Sequence, residues 1–189
     1  MGEIMGFFDL VKRGSTQKND KKEVHELIED LREASDRTVR REAQQALVRM
    51  GSAAVYPLIG ALNDKDWRVR EEATRALGEI GDERAVPHII KMFKDDKIRI
   101  QLWATDALIT MGDTAVEPLI EALQDSDRRI RMGSIVALGE IREVRAIGPL
   151  QDRTKDADRE VAEAARDALE AMEEQISTVR NPQDRKRLT

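Results

Sequence analysis

The sequence predicts an all-α solenoid of five two-helix repeats, and three observations carry the prediction. The block Ala54-Val-Tyr-Pro-Leu-Ile-Gly-Ala-Leu-Asn-Asp-Lys-Asp66 returns as Ala115-Val-Glu-Pro-Leu-Ile-Glu-Ala-Leu-Gln-Asp-Ser-Asp127, a match too long for chance. The pairs Ala46-Leu47, Ala76-Leu77, Ala107-Leu108, Ala137-Leu138 and Ala168-Leu169 recur at alternating spacings of 30 and 31 residues. Aromatic residues make up only 3% of the chain, which suits a thin core of Ala, Leu, Ile and Val between helix layers. Repetition at this period marks stacked units, each too small to bury its own apolar face.

Each repeat reads as two amphipathic helices. Val55, Leu58, Ile59 and Leu62 fall at i, i+3, i+4 and i+7, and Val69, Ala73, Ala76, Leu77 and Ile80 continue that period, the spacing of one helix face. Pro57, Pro87, Pro118 and Pro149 belong near the starts of first helices, where some backbone N–H groups have no intrahelical partner to lose. Gly51, Gly81 and Gly112 follow the last apolar residue of a second helix, the place of a left-handed C-terminal cap, and Ser52, Asp82 and Asp113 stand ready to cap the next helix. The fourth junction departs, reading Arg142-Glu143. Small Ala73, Ala76 and Gly78 suit close helix packing.

The repeats divide as 23–53, 54–84, 85–114, 115–145 and 146–174. Residues 1–22 are expected to hold an N-terminal amphipathic segment, Gly6-Phe-Phe-Asp-Leu-Val-Lys-Arg13, and a polar linker from Gly14 to Lys22. The segment is expected to cover the apolar edge of repeat one, because terminal repeats need a cap. Residues 175–189 read as a frayed helix end and a polar, basic tail.

Composition removes several function classes. There is no cysteine, hence no thiol nucleophile, thiolate zinc or disulfide framework, and two histidines leave little for imidazole metal sites. A net charge of −5 argues against a general polyanion binder. No run of about 18 apolar residues is present, and the N-terminus lacks the pattern of a cleavable leader. The expectation is a cytoplasmic protein with no membrane span, no specific nucleic acid, no cofactor and no metal. No nucleophile–base pair, phosphate-binding glycine loop or zinc pattern is present, so the expectation is also that the chain is not an enzyme.

The pattern Ala-Val-x-Pro-Leu-Ile-x-Ala-Leu-x-Asp-x-Asp-x-x-Val-Arg-x-x-Ala-x-x-Ala-Leu-Gly-x-Ile-Gly-Asp, complete in residues 54–82, resembles HEAT-like repeats of the phycobilisome-lyase type over about four fifths of the chain. The resemblance implies a right-handed α–α superhelix with second helices lining a concave face. It also implies a ladder in which an inter-helix Asp meets a helix-start Arg, the matching residues being Asp64, Asp125 and Asp156 with Arg40, Arg70 and Arg131; Gln101 and Ala162 break it. Read from the residues alone, these aspartates sit where a helix N-cap or dipole partner belongs, and the Asp-x-Asp pairs lack the further oxygens of a calcium loop. Resemblance to deoxyhypusine-hydroxylase-like repeats would require several His-Glu pairs, and His25-Glu26 stands alone.

Comparison of equivalent second-helix positions points to a site. The slots of Trp67, Arg68, Glu71, Glu72 and Arg75 hold Arg37, Thr38, Arg41, Glu42 and Gln45 in repeat one. In repeat five they hold Arg159, Glu160, Glu163, Ala164 and Asp167. Repeat three holds Ile98, Arg99, Leu102, Trp103 and Asp106, and repeat four Arg128, Arg129, Met132, Gly133 and Val136. The middle of the layer turns apolar. Trp67, Glu71, Arg75, Ile98, Leu102, Trp103, Asp106, Met132 and Val136 are therefore the expected partner-binding residues, with aromatic and methionine anchors inside a charged rim. The leading expectation is a protein–protein interaction scaffold, a monomer or weak homodimer, that binds a protein or peptide. The alternatives are an accessory protein resembling tetrapyrrole chromophore lyases, holding an extended tetrapyrrole in the same groove, and a self-assembling structural protein.

Overall fold

The computed structural model describes residues 17–180, with side chains over 23–173. The expected capping segment Gly6–Arg13 and the tail from 181 onward lie outside the described residues. The described residues form ten α-helices and no strand, two helices to each repeat, wound as an α–α superhelix. In repeat one α1 (Gln17–Glu33) precedes α2 (Arg37–Met50), and in repeat two α3 (Val55–Ala61) precedes α4 (Trp67–Ile80). Repeats three to five contribute α5 (Val86–Lys91) and α6 (Ile98–Met111), α7 (Asp113–Ala122) and α8 (Arg128–Ile141), then α9 (Ile147–Arg153) and α10 (Arg159–Arg180). Helix α1 starts inside the polar run expected to be a linker.

The apolar faces of all ten helices meet in one continuous cluster. Leu31, Leu47, Leu58, Leu77, Leu108 and Leu138 are fully buried in it, each worth about 1.5–3 kcal/mol relative to exposure. The even-numbered helices stack serially, α2 on α4, α4 on α6, α6 on α8 and α8 on α10. Small residues set their approach: a Cβ on Gly78 would stand 2.5 Å from the Ala107 Cβ, so nothing larger than hydrogen fits there.

The alternation of 30 and 31 residues comes from two kinds of junction. Gly51 and Gly112 have φ 58° with ψ −127° and −123°, and lead directly into the next helical turn. Gly81 (φ 71°, ψ 19°) and Arg142 (φ 61°, ψ 35°) lie in the ordinary left-handed region, and each is followed by one extra extended residue, Asp82 or Glu143. The left-handed region is costly but open to side chains, whereas positive φ with ψ near −125° is essentially reserved for glycine. That is why arginine can replace glycine at the fourth junction. Two expectations change accordingly. Asp82 caps the following turn through the Arg84 N–H at 3.0 Å, but Ser52 and Asp113 are already inside helical turns and cap nothing. Pro118 lies in the interior of α7, because that helix starts at Asp113.

The Asp-x-Asp pairs build the turn between the two helices of a repeat. Asp64, Asp95, Asp125 and Asp156 each accept the N–H two residues on, at 2.8–2.9 Å. Asp66, Asp127 and Asp158 then cap the second helix. Arg70 closes the arrangement onto the next repeat: Nη1 donates to the Asp64 carbonyl at 3.0 Å, while Nε and Nη2 donate to the two oxygens of Asp95 at 2.7 and 2.9 Å. Arg131 does the same with the Asp125 carbonyl (2.9 Å) and the Asp156 carboxylate (3.0 and 3.1 Å). Bidentate guanidinium–carboxylate contacts are the strong form of this interaction.

The ladder differs from the implied one at three points. Asp64 is held by Arg32, Nε to Oδ2 at 2.6 Å, while Arg40 donates to the Ala34 carbonyl of its own turn. Asp95, absent from the implied ladder, is the partner of Arg70. Asp125 pairs with no arginine across a seam among the described residues, since the residue at that register is Gln101 and its Nε2 donates to the Asp95 carbonyl of its own repeat at 2.7 Å.

Two predictions follow from junction and ladder geometry. Gly112→Ala should lower the urea-unfolding stability by about 1–3 kcal/mol, and Gly81→Arg by less; equal losses would contradict the two-junction account. Burial alone raises the Asp156 carboxyl, but the Asp158 N–H, Arg131 and Arg153 outweigh it and hold the group below its ordinary 3.8. A depressed carboxyl stabilises the fold above the unfolded-state value and loses that contribution as pH falls through the folded one. Asp156→Asn should therefore destabilise by about 1–3 kcal/mol at pH 7 and show a shrinking difference from wild type below about pH 4, read from denaturation midpoints.

Candidate functional site

Equivalent positions of α6 and α8 place two apolar rows side by side. Ile98 and Leu102 are separated by one turn on α6, Met132 and Val136 by one turn on α8, and Ile98 and Leu102 are 67% and 64% exposed. Between the helices opens a cleft of about 410 Å³. Phe93, Met132 and Gly133 lie beneath it, Gln101 and Thr105 line the α6 side, and Arg128 and Arg129 stand at the helix starts.

The depth of the cleft comes from a paired size change. Phe93 occupies the register held by Leu62 and Leu123 in neighbouring repeats, and is 2% exposed. Gly133 occupies the register of Glu72 and Trp103, and a Cβ there would stand 2.4 Å from Phe93 Cγ. A larger residue below is accommodated by a smaller one above, which removes the side chain that would otherwise fill the groove. Sequence reading missed Phe93; its signal is an aromatic at a leucine register opposite the only glycine in that slot.

Of the residues expected to bind a partner, Ile98, Leu102, Met132 and Val136 are brought together. Trp103 faces the other side of α6, with the Arg75 guanidinium 4.6 Å from its ring centroid, a cation–π geometry. It lines a second open cleft of about 400 Å³ with Arg99, Asp106 and Ile109. Leu102 and Thr105 border both clefts and form the ridge between them. Trp67 lines neither cleft; it is half-buried at the start of α4 with Arg68 over its ring at 5.2 Å.

Glu71 requires a correction. It was expected on the surface but is 4% exposed, paired with Arg99 at 2.8 Å across the α4–α6 seam. A carboxylate so buried keeps its charge only with a partner. Glu72 beside it is 5% exposed and paired with Arg75 at 3.0 Å. Burial pushes its carboxyl above the ordinary range, Arg75 opposes that, and Glu71 adds to it. The five residues form a polar seam, Glu72 to Arg75 to Trp103 and Glu71 to Arg99, which the sequence comparison divides between solvent and partner.

Stacked helix pairs with an Asp–Arg ladder and an open cleft on the second-helix layer define a repeat protein of the α-solenoid class. A family model describing HEAT repeats matches residues 24–109 and 94–170, and the chain belongs to the HEAT-repeat family. It is 30% identical over 145 residues to phycocyanobilin lyase subunit alpha from Picosynechococcus sp., covering 66% of this chain and 54% of that protein. It is also 30% identical over 155 residues to an uncharacterized phycocyanin operon protein Z from Pseudanabaena tenuis, covering 76% of this chain and 77% of that one. The chain thus spans about half the length of the first of these relatives. Its fold is similar to that in the complex of CpcE and CpcF of phycocyanin lyase from Nostoc sp., with a TM-score of 0.52 at 23% identity over 78% of this chain and 98% of that chain.

These likenesses overturn the expectation that the chain is not an enzyme: its named relatives include lyase subunits. They also favour the tetrapyrrole-lyase alternative over the leading scaffold expectation. Among the described residues no helix is long and apolar enough to cross a membrane.

Gly133→Ala tests the size pairing. In a free helix the change would stabilise by about 1 kcal/mol, but here it drives a methyl into Phe93, an overpacking cost of about 1–3 kcal/mol. The expected outcome is net destabilisation that Phe93→Leu partly relieves in the double variant; additive effects in that cycle would show that the two residues are not coupled.

Proposed function

We propose that this chain is a lyase-related accessory protein that holds a linear tetrapyrrole in the cleft between α6 and α8. The observation that carries the reading is the chemistry of the cleft: an apolar floor at Phe93 and Met132, an apolar ridge at Leu102, and two arginines at one end. A linear tetrapyrrole is flat and largely apolar, and bears carboxylate side chains. Its rings match the floor and ridge, and its carboxylates match Arg128 and Arg129 by charge-assisted hydrogen bonds. Both arginines are about half exposed and now contact Glu160, Asp158 and Asp127. Exposed ion pairs of this kind are weak, so the guanidinium groups can be redirected. The 30% identity to a phycocyanobilin lyase subunit supports the same reading.

Exposure of Ile98 and Leu102 supports a second reading, in which this surface docks a protein, a second copy included.

Titration with biliverdin separates the two. The first predicts a saturable change in the visible absorption of the pigment, with affinity at least tenfold weaker in Leu102→Glu and in Arg128→Glu/Arg129→Glu, at unchanged helicity. No spectral change up to high protein concentration would overturn it. A concentration-dependent dimer abolished by Leu102→Glu would favour the second.

A further inference from the structure

The cleft coincides with a gap in the ion-pair ladder. Between repeats one and two Arg32 holds Asp64, and between two and three Arg70 holds Asp95 and also reaches Asp96 at 2.6 Å. Between four and five Arg131 holds Asp156, and Arg145 adds contacts to Asp113 and Glu117. Between three and four the clamp is missing among the described residues. Gln101 reproduces one arm of the arginine, the bond to the carbonyl of its own turn, and is too short for the other. Asp125 accepts the Asp127 N–H as its equivalents do, without the guanidinium. Across this seam Arg129 Nη1 donates to the Lys94 carbonyl at 3.2 Å, an exposed contact.

The same seam carries the Phe93–Gly133 pairing and the open cleft, and Gln101 lines that cleft. An arginine in its place would project across the seam toward Asp125, in the manner of Arg70 and Arg131. We infer that the seam between repeats three and four is the hinge of the solenoid, and that Gln101 is the positioning residue that leaves α6 and α8 free to part around a ligand. Two rigid halves, repeats one to three and four to five, are each clamped internally, so relative motion concentrates where the clamp is absent. The identity of the ligand rests on the tetrapyrrole reading; the hinge does not.

The absence of cysteine permits paired spin labels at chosen sites. Lys94→Cys/Ser126→Cys spans the seam in question, and Lys65→Cys/Lys94→Cys spans the clamped seam before it. The inter-label distance distribution should be broader across the first than across the second. Gln101→Arg should narrow the first to the width of the second, raise the denaturation midpoint, and weaken biliverdin binding at least tenfold. Arg131→Gln should broaden a Ser126→Cys/Lys155→Cys pair, moving the gap to the next seam. Equal widths across both seams in the parent chain, or widths unmoved by Gln101→Arg, would overturn the hinge. A narrowed distribution with unchanged biliverdin affinity would overturn the role of Gln101 in opening the cleft. If biliverdin does not bind the parent chain, the tetrapyrrole reading fails, and the distance distributions still decide the hinge.

Discussion

Everything in this molecule depends on the burial of one repeat against the next. A single pair of helices, one of them only six or seven residues long in repeats two, three and five, has no interior. Its apolar face is covered only by its neighbours, so the core is a continuous strip running from α1 to α10. Alanine facing glycine lets consecutive second helices approach until an alanine Cβ meets the glycine backbone of its neighbour, and this close approach sets how each repeat is turned relative to the last. Few aromatics are needed in so thin a core.

Apolar stacking alone would leave the repeats free to slide, and the polar ladder supplies the register. An aspartate that accepts its own turn's backbone N–H is fixed in position before it meets the guanidinium from the previous repeat. The arginine in turn is tied to a carbonyl of its own repeat. Because both ends are anchored, little side-chain entropy remains to be lost when they join. This is more than a surface ion pair provides: Asp95 and Asp156 are each only 4% exposed at the side chain.

The proposed binding cleft lies where this regularity is broken. Repeats three and four exchange a leucine for Phe93, a bulky second-helix residue for Gly133, and a ladder arginine for Gln101. Each change alone would be a local defect. Together they produce a stretch with an apolar floor, room above it and a weakened seam beside it, while the polar seam of Glu71, Glu72, Arg75, Arg99 and Trp103 keeps the preceding repeats joined. A repeat protein can localise function in this way without a new domain, by relaxing packing rules at one seam and leaving them intact at the others.

By itself the sequence determined the architecture. Helical periodicity, the returning Ala-Leu pairs and the Asp-x-Asp turns are local or repeat-periodic signals, so five helix pairs and their order were legible, and the family resemblance added two of the ladder arginines, Arg70 and Arg131. It also placed Ile98, Leu102, Met132 and Val136 on one surface, because equivalent positions in neighbouring repeats must be adjacent in a stack. Only the tertiary structure decided what depends on distances across a seam. It buried Glu71 by matching it with Arg99, set Trp103 against Arg75 outside the cleft between α6 and α8, gave Asp64 to Arg32 in place of Arg40, and revealed Phe93 beneath Gly133. Those outcomes depend on side-chain reach and on which neighbour has a free charge, and a repeat pattern specifies neither. The allowance of arginine at the fourth junction likewise required backbone angles: φ and ψ separate two kinds of turn that share the same glycine in the sequence.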